Sequence, residues 1–344
     1  MMIKAIVTIS SQVFMLFTVF LLTPKIGINA LGIAQIAQGA IAMILSWLCV
    51  RKVLDYKICI PFRFDNSIFK ELFKFGFNVQ IGSFVMLMFD PLTKILFAKF
   101  GGASFAGLFE VASQIIIRAR AFIITANQVV IPKIATVFEE SPIYLKELYK
   151  KNMFFLIPVI TMLYLCLFVW SNLIVKLIFG HNDENFNLIF YSLIFSWSIN
   201  TLSAPAYFFN LGSGDAKKNA FIHICMAFIN IIFGPLLGFF IGWKGVLAAY
   251  IFSLVFASLL TIYKFHFDYG INVKFLEISK RKNILVFNFI ALVIVSLVKF
   301  FDNLDNFLVP YAFEVLATFL ILYINFSNQI LFEFKKSFNL NFKK

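Results

Sequence analysis

The sequence predicts an all-helical, polytopic membrane bundle of about ten transmembrane helices, and three observations carry that prediction. The 344-residue chain is 61% hydrophobic and only 14% charged, with a mean hydropathy of +0.90; a soluble domain has no interior large enough to hide so much apolar surface. The apolar residues fall in recurrent runs of about 20, the length that crosses a hydrocarbon core. Lysine and arginine gather in alternate connections, as in a chain threaded back and forth with its cytoplasmic loops positive.

The runs place spans at roughly 3–23, 30–50, 75–98, 103–136, 152–178, 186–211, 218–240, 244–265, 283–301 and 307–331. The first has a lysine at its start but no small-residue cleavage site before a polar mature domain, so it reads as a retained span. Connections on one side hold Arg51, Lys52, Lys57 and Arg63, then Lys146, Lys150 and Lys151, then Lys217 and Lys218, then Lys274 to Lys282. The other side holds only Lys25, Lys99, Lys176, Lys244 and Lys299. Both termini are therefore expected in the cytoplasm, with the chain in the inner membrane. The net charge of +13 belongs to these loops, and no nucleic-acid partner is expected.

Between the second and third spans, "DNSIFKELFKFGF" puts Ile68, Phe69, Leu72, Phe73 and Phe77 on one helical face, which suits an interfacial helix feeding the third span. An internal repeat is suggested by two turns. Pro24 and Gly27 close the first hairpin; Pro235 and Gly238 stand between the seventh and eighth spans. A proline ending one helix and a glycine reversing the chain would serve both, although such residues are common at membrane turns.

No catalytic or metal chemistry is legible. The cysteines Cys49, Cys59, Cys166 and Cys225 are scattered with no CxxC. His181 with Asp183 and Glu184 in an outer loop reads as solvated. No metal and no cofactor are expected. Trp47, Trp170, Trp197 and Trp243 mostly sit near span ends, as interfacial anchors do.

The informative stretch is "FDPLTKILFAKFGGASFAGLFEVASQIIIRARAF", Phe89–Phe122, where Asp90, Lys94, Glu110, Arg118 and Arg120 interrupt two spans. At ~1.5 Å per residue Lys94 and Glu110 lie at matching depth on adjacent antiparallel helices, close enough to pair. Asp90 is one turn from Lys94. Glu110, Gln114 and Arg118 form one polar stripe, and Arg120 points about 200° away from Arg118. A lone charge at mid-bilayer costs at least ~2.5–3.5 kcal/mol. Five such groups must pair internally or face a watery cavity.

Several motifs resemble those of a known family: "LFKFGF" (72–77), "AGLFEVASQI" (106–115), "QVVIPKIA" (128–135), "LIVKLIFG" (173–180) and the run from Gly212 to Ala249. In order and spacing they are similar to the polysaccharide-repeat flippases of the multidrug/oligosaccharidyl-lipid/polysaccharide transporter superfamily. Asn78 stands where many members have proline, and Phe109 where many have tyrosine.

Relatives have two lobes around a central cavity, and against them this chain looks like spans five to fourteen. The resemblance thus implies four parts: residues 1–51 as a remnant of the N-terminal lobe, 52–74 as a cytoplasmic linker, 75–266 as a C-terminal six-helix lobe, and 267–344 as two additional helices with a basic tail. It also implies a flippase that moves polyprenyl pyrophosphate-linked oligosaccharide repeat units by alternating access. Arg118, Arg120, Gln114, Asn127 and Asn78 are then the expected substrate-binding residues. Asp90, Lys94 and Glu110 form an ion-coupling site or a structural ion pair. The expected partners are the lipid-linked glycan, membrane lipids, and a second copy or separate chain supplying the missing helices. Four other readings stay open: a truncated fragment that does not transport, a lipid-linked peptidoglycan precursor flippase, a multidrug exporter of the same fold, and a membrane enzyme of glycan assembly. The last is disfavoured, because the chain has neither a long Arg-rich outer loop nor a buried catalytic histidine.

Overall fold

The computed structural model describes residues 2–27, 29–54 and 66–271. All the regular structure there is helical: α1 (Met2–Ile26), α2 (Asn29–Leu54), α3 (Asn66–Gly101), α4 (Ala103–Gln128), α5 (Ile131–Glu140), α6 (Pro142–Val169), α7 (Ser171–Phe179), α8 (Glu184–Gly212), α9 (Ala216–Ile241) and α10 (Trp243–Asp268). Among the described residues, seven stretches are long and apolar enough to cross a membrane. The protein is a polytopic helical membrane bundle. The spans expected at 283–301 and 307–331, and most of the linker, lie outside the described residues.

The chain divides into two compact units, 1–69 and 70–344. In the first, α1 and α2 form an antiparallel hairpin packed through Val7, Ser11, Ala30 and Ala34. Small residues at that seam let the two backbones approach closely. Large apolar residues such as Phe20 and Ile36 are exposed, as side chains that contact lipid must be.

The second unit begins within α3, whose 36 residues make it about 54 Å long. That exceeds a hydrocarbon core of ~30 Å. The expected interfacial helix is accordingly the first turns of α3, with no break before the span. Gly102, at φ 91, reverses the chain into α4 with one intervening residue. Its left-handed backbone is open to glycine at little cost.

The expected fourth span breaks at Val129–Val130, where Pro132 near the start of α5 supplies no N–H to continue the α4 ladder. The expected fifth span is also two helices. Ser141 caps α6 by accepting from the Ile143 N–H at 3.2 Å, and Trp170 separates α6 from α7. Asp183 caps α8 in the same way, accepting from the Phe186 N–H at 2.9 Å.

Helix α8 is the hub of this unit, packing against α10, α4, α6 and α5. Its buried face carries Ser196, Thr201, Ser203 and Asn210 among the apolar residues. That polarity keeps α8 from matching a span by composition. A helix shielded from lipid by its neighbours can hold polar groups that bond across helices. Tyr164 Oη and Thr201 Oγ1, 2.6 Å apart, are one such pair. Around α8 lies an aromatic core in which Phe109 meets Phe97 at 4.7 Å and Tyr250 at 5.2 Å between ring centroids.

The two expected repeat turns differ. Gly27 (φ 58) ends α1, but Gly238 is still helical and the reversal comes at Gly242 (φ 69). Gly238 has a packing role instead, because a Cβ there would stand 2.6 Å from Phe100 Cδ2.

Candidate functional site

Helix α4 has two polar faces, and they differ in environment. On one, Glu110, Gln114 and Arg118 recur at four-residue spacing. Gln114 and Arg118 are exposed. The Glu110 carboxylate pairs with Lys94 Nζ of α3, and Gln114 Nε2 donates to Glu110 Oε1 at 3.1 Å. Asp90 does not join this pair. Its Oδ1 accepts from the Tyr250 hydroxyl of α10 at 3.2 Å, while Thr93 and Asn230, 2.8 Å apart, tie α3 to α9 one turn further on. Arg118 makes no hydrogen bond or ion pair among the described residues.

Arg120 looks the other way, into the helical unit. Its Nη2 donates to Asn200 Oδ1 of α8 at 2.9 Å. Asn200 Nδ2 in turn donates to Ser258 Oγ of α10 at 3.0 Å, and that hydroxyl donates to the Leu254 carbonyl at 2.6 Å. The guanidinium carbon sits 4.8 Å from the Trp197 ring centroid, within the range of a cation–π contact. Among the described residues no carboxylate pairs with Arg120, and its Nε is sealed from solvent without a partner. Arg120 lines a cavity of about 450 Å³ with Gln128, Asn200, Ser203, Tyr207, His223 and Thr261.

The residues expected at a single site thus separate. Arg118 and Gln114 share the exposed face. Arg120 belongs to the cavity. Asn127 is buried and already engaged, its Oδ1 accepting from Asn152 of α6 at 2.8 Å. Asn78 is on α3, with a side chain outside the described set. No cluster of three or more histidine, cysteine or acidic side chains forms a metal site among the described residues.

Sequence reading missed Trp197, Tyr207 and His223. Trp197 lies mid-helix on α8, 3% exposed, and is a wall for Arg120 where an interfacial anchor was expected. The signal was the run of Ser, Thr and Asn along α8, polar groups that this helix buries inside the bundle.

The family described as polysaccharide biosynthesis protein matches residues 1–186, more than half of the chain. The chain belongs to that family. A search of curated proteins finds no match. Among solved structures, "Lipid II flippase MurJ, inward closed conformation" is similar, with a TM-score of 0.54 and 16% identity over 98% of this chain and 68% of that one. At that identity the likeness is one of fold. This member of the polysaccharide biosynthesis family therefore shares its helical fold with that structure, and its α4 carries both the exposed polar stripe and the inward-facing Arg120.

Proposed function

We propose that the protein moves polyprenyl pyrophosphate-linked oligosaccharide units across the inner membrane by alternating access, with both termini in the cytoplasm. The observation that carries this reading is the exposed face of α4. Gln114 and Arg118 lie on a membrane-spanning helix and are covered by nothing in their own unit. An arginine turned to lipid tails at that depth would be costly; one turned to a wet path that carries an anionic head group would not. The cargo keeps its tail in the bilayer while a hydrated, charged head crosses. Arg118 offers the planar fork of donors that suits phosphate oxygens, and Gln114 offers an amide to sugar hydroxyls. The Lys94–Glu110 pair fixes α3 against α4 beside that path. Residues 75–266 act as one rocking lobe.

A second reading, flipping of a lipid-linked peptidoglycan precursor, draws support from the likeness in fold to the lipid II flippase. The two cargoes share the lipid pyrophosphate and differ in the sugars. Reconstituted vesicles offering each cargo separate them, by which one becomes accessible to an enzyme added outside. Accessibility of neither cargo in vesicles that hold the protein would remove the flippase reading.

A further inference from the structure

Helices α9 and α10 have two unlike sides. Ile222, Met226, Ser258 and Thr261 turn inward and line the Arg120 cavity. Phe221, Phe228, Tyr263 and Phe267 are exposed and form the outward seam of the two helices. At one end of this seam Lys264 Nζ lies 4.3 Å from the Phe221 ring centroid. Further along it Phe233 meets Phe252 at 6.3 Å.

The depth of Lys264 follows from helix length. Each helix has 26 residues, about 39 Å, and the chain reverses between them at Gly242. Phe221 and Lys264 therefore stand about 32 Å from that turn. A hydrocarbon core of ~30 Å gives way to head groups at that distance. Lys217 is one turn before Phe221 on the same face of α9 and is exposed, so it reaches the same layer.

The charge of these two lysines is not balanced from within. The carboxylates at these helix ends, Asp215 and Asp268, are both held by Lys218, at 2.8 and 2.6 Å. Among the described residues neither Lys217 nor Lys264 pairs with a carboxylate. The ring of Phe221 holds the Lys264 ammonium in place through its negative face and leaves N–H donors for an acceptor. Two ammonium groups thus stand at head-group depth above a strip of exposed apolar side chains.

We propose that this cleft binds the head group of an anionic phospholipid. The phosphate accepts from Lys217 and Lys264, and the acyl chains lie along Phe221, Phe228 and Tyr263. A zwitterionic head group brings its own ammonium, which finds no free carboxylate here, so the site selects net negative charge. The cleft is on the far side of α9 and α10 from the Arg120 cavity, and Arg118 has no part in it. The inference therefore does not rest on the transport reading.

The test uses the full chain stripped of lipid in detergent. It is titrated with phosphatidylglycerol and with phosphatidylethanolamine of the same acyl chains, and bound lipid is counted by native mass spectrometry. One phosphatidylglycerol should bind at least about 10-fold more tightly than phosphatidylethanolamine. Lys217→Gln and Lys264→Gln should each weaken it about 5-fold, and together they should abolish the preference. Should Lys264→Gln fail to fold, Lys217→Gln alone carries the comparison. Lys99→Gln with Lys244→Gln removes as much charge toward the Gly242 end and should leave the preference intact.

Glycerol 3-phosphate, a phosphate head without chains, should not displace the lipid. Displacement by it would overturn the proposal in favour of a soluble anion. Equal affinity for the two lipids would also overturn it, as would a preference that survives the loss of both Lys217 and Lys264. An equal loss of preference in the Lys99 and Lys244 variant would reduce the effect to bulk charge and overturn it too.

Discussion

Arg120 and Asn200 are joined at 2.9 Å across the α4–α8 contact, and that bond decides which way one of two neighbouring arginines faces. Arg118, two residues earlier, is exposed on the far side of the same helix. The pair divides α4 into a face that serves the bundle and a face left open.

The Asn200 bond makes a two-sided prediction. Asn200→Leu leaves the Arg120 guanidinium without its acceptor and should destabilise the protein by about 1–3 kcal/mol, read as a lower melting temperature in detergent. Asn200→Asp supplies an internal counter-charge. It should raise the melting temperature.

Lys94 and Glu110 predict a different pattern, because their side chains are 32% and 40% exposed and solvent or cargo screens them. Either single reversal, Lys94→Glu or Glu110→Lys, should lower the amount of protein in the membrane. The double reversal should restore it. A coupling on the order of 1 kcal/mol is expected from a double-mutant cycle on unfolding.

Much of this was legible in the sequence. Runs of apolar residues marked seven helices that are long and apolar enough to cross a membrane among the described residues, and Asp90, Lys94, Glu110, Arg118 and Arg120 stood out as charges in hydrocarbon. The break at Val129–Val130 had a signal in Pro132, within the motif at 128–135, although the run was read as one span. The break at Trp170 was not legible, since it interrupts a continuous apolar run without changing its composition. Nor was the partner of Arg120. Asn200 and Trp197 are 80 and 77 residues away in sequence, and periodicity along one helix says nothing of which distant helix it meets. The Pro-x-x-Gly likeness misled in the second hairpin, because Gly238 is needed for the approach of Phe100 and not for a turn.

Glycine positions give a test of packing. A Cβ at Gly245 would stand 2.1 Å from the Leu237 carbonyl oxygen, backbone that cannot swing aside. Gly245→Ala should therefore cost about 1–3 kcal/mol. At Gly107 nothing lies within 4 Å, and Gly107→Ala should be neutral or stabilise by up to about 1 kcal/mol through helix propensity. Thermal unfolding of the two variants side by side checks the α9–α10 turn against the open face of α4.

Arg118 carries the central claim, that the uncovered polar face of α4 is the path of an anionic lipid-linked head group. Loss of a charged hydrogen-bonding contact of ~1.5–3 kcal/mol corresponds to roughly a 10- to 100-fold fall in rate. The direct measurement is glycan export in a flippase-deficient strain expressing the protein with Arg118→Ala, beside wild type and Arg118→Lys, with membrane protein levels followed by immunoblot. Export should fall by that factor in Arg118→Ala and partly recover in Arg118→Lys, at equal protein levels. Wild-type export in Arg118→Ala would contradict the account.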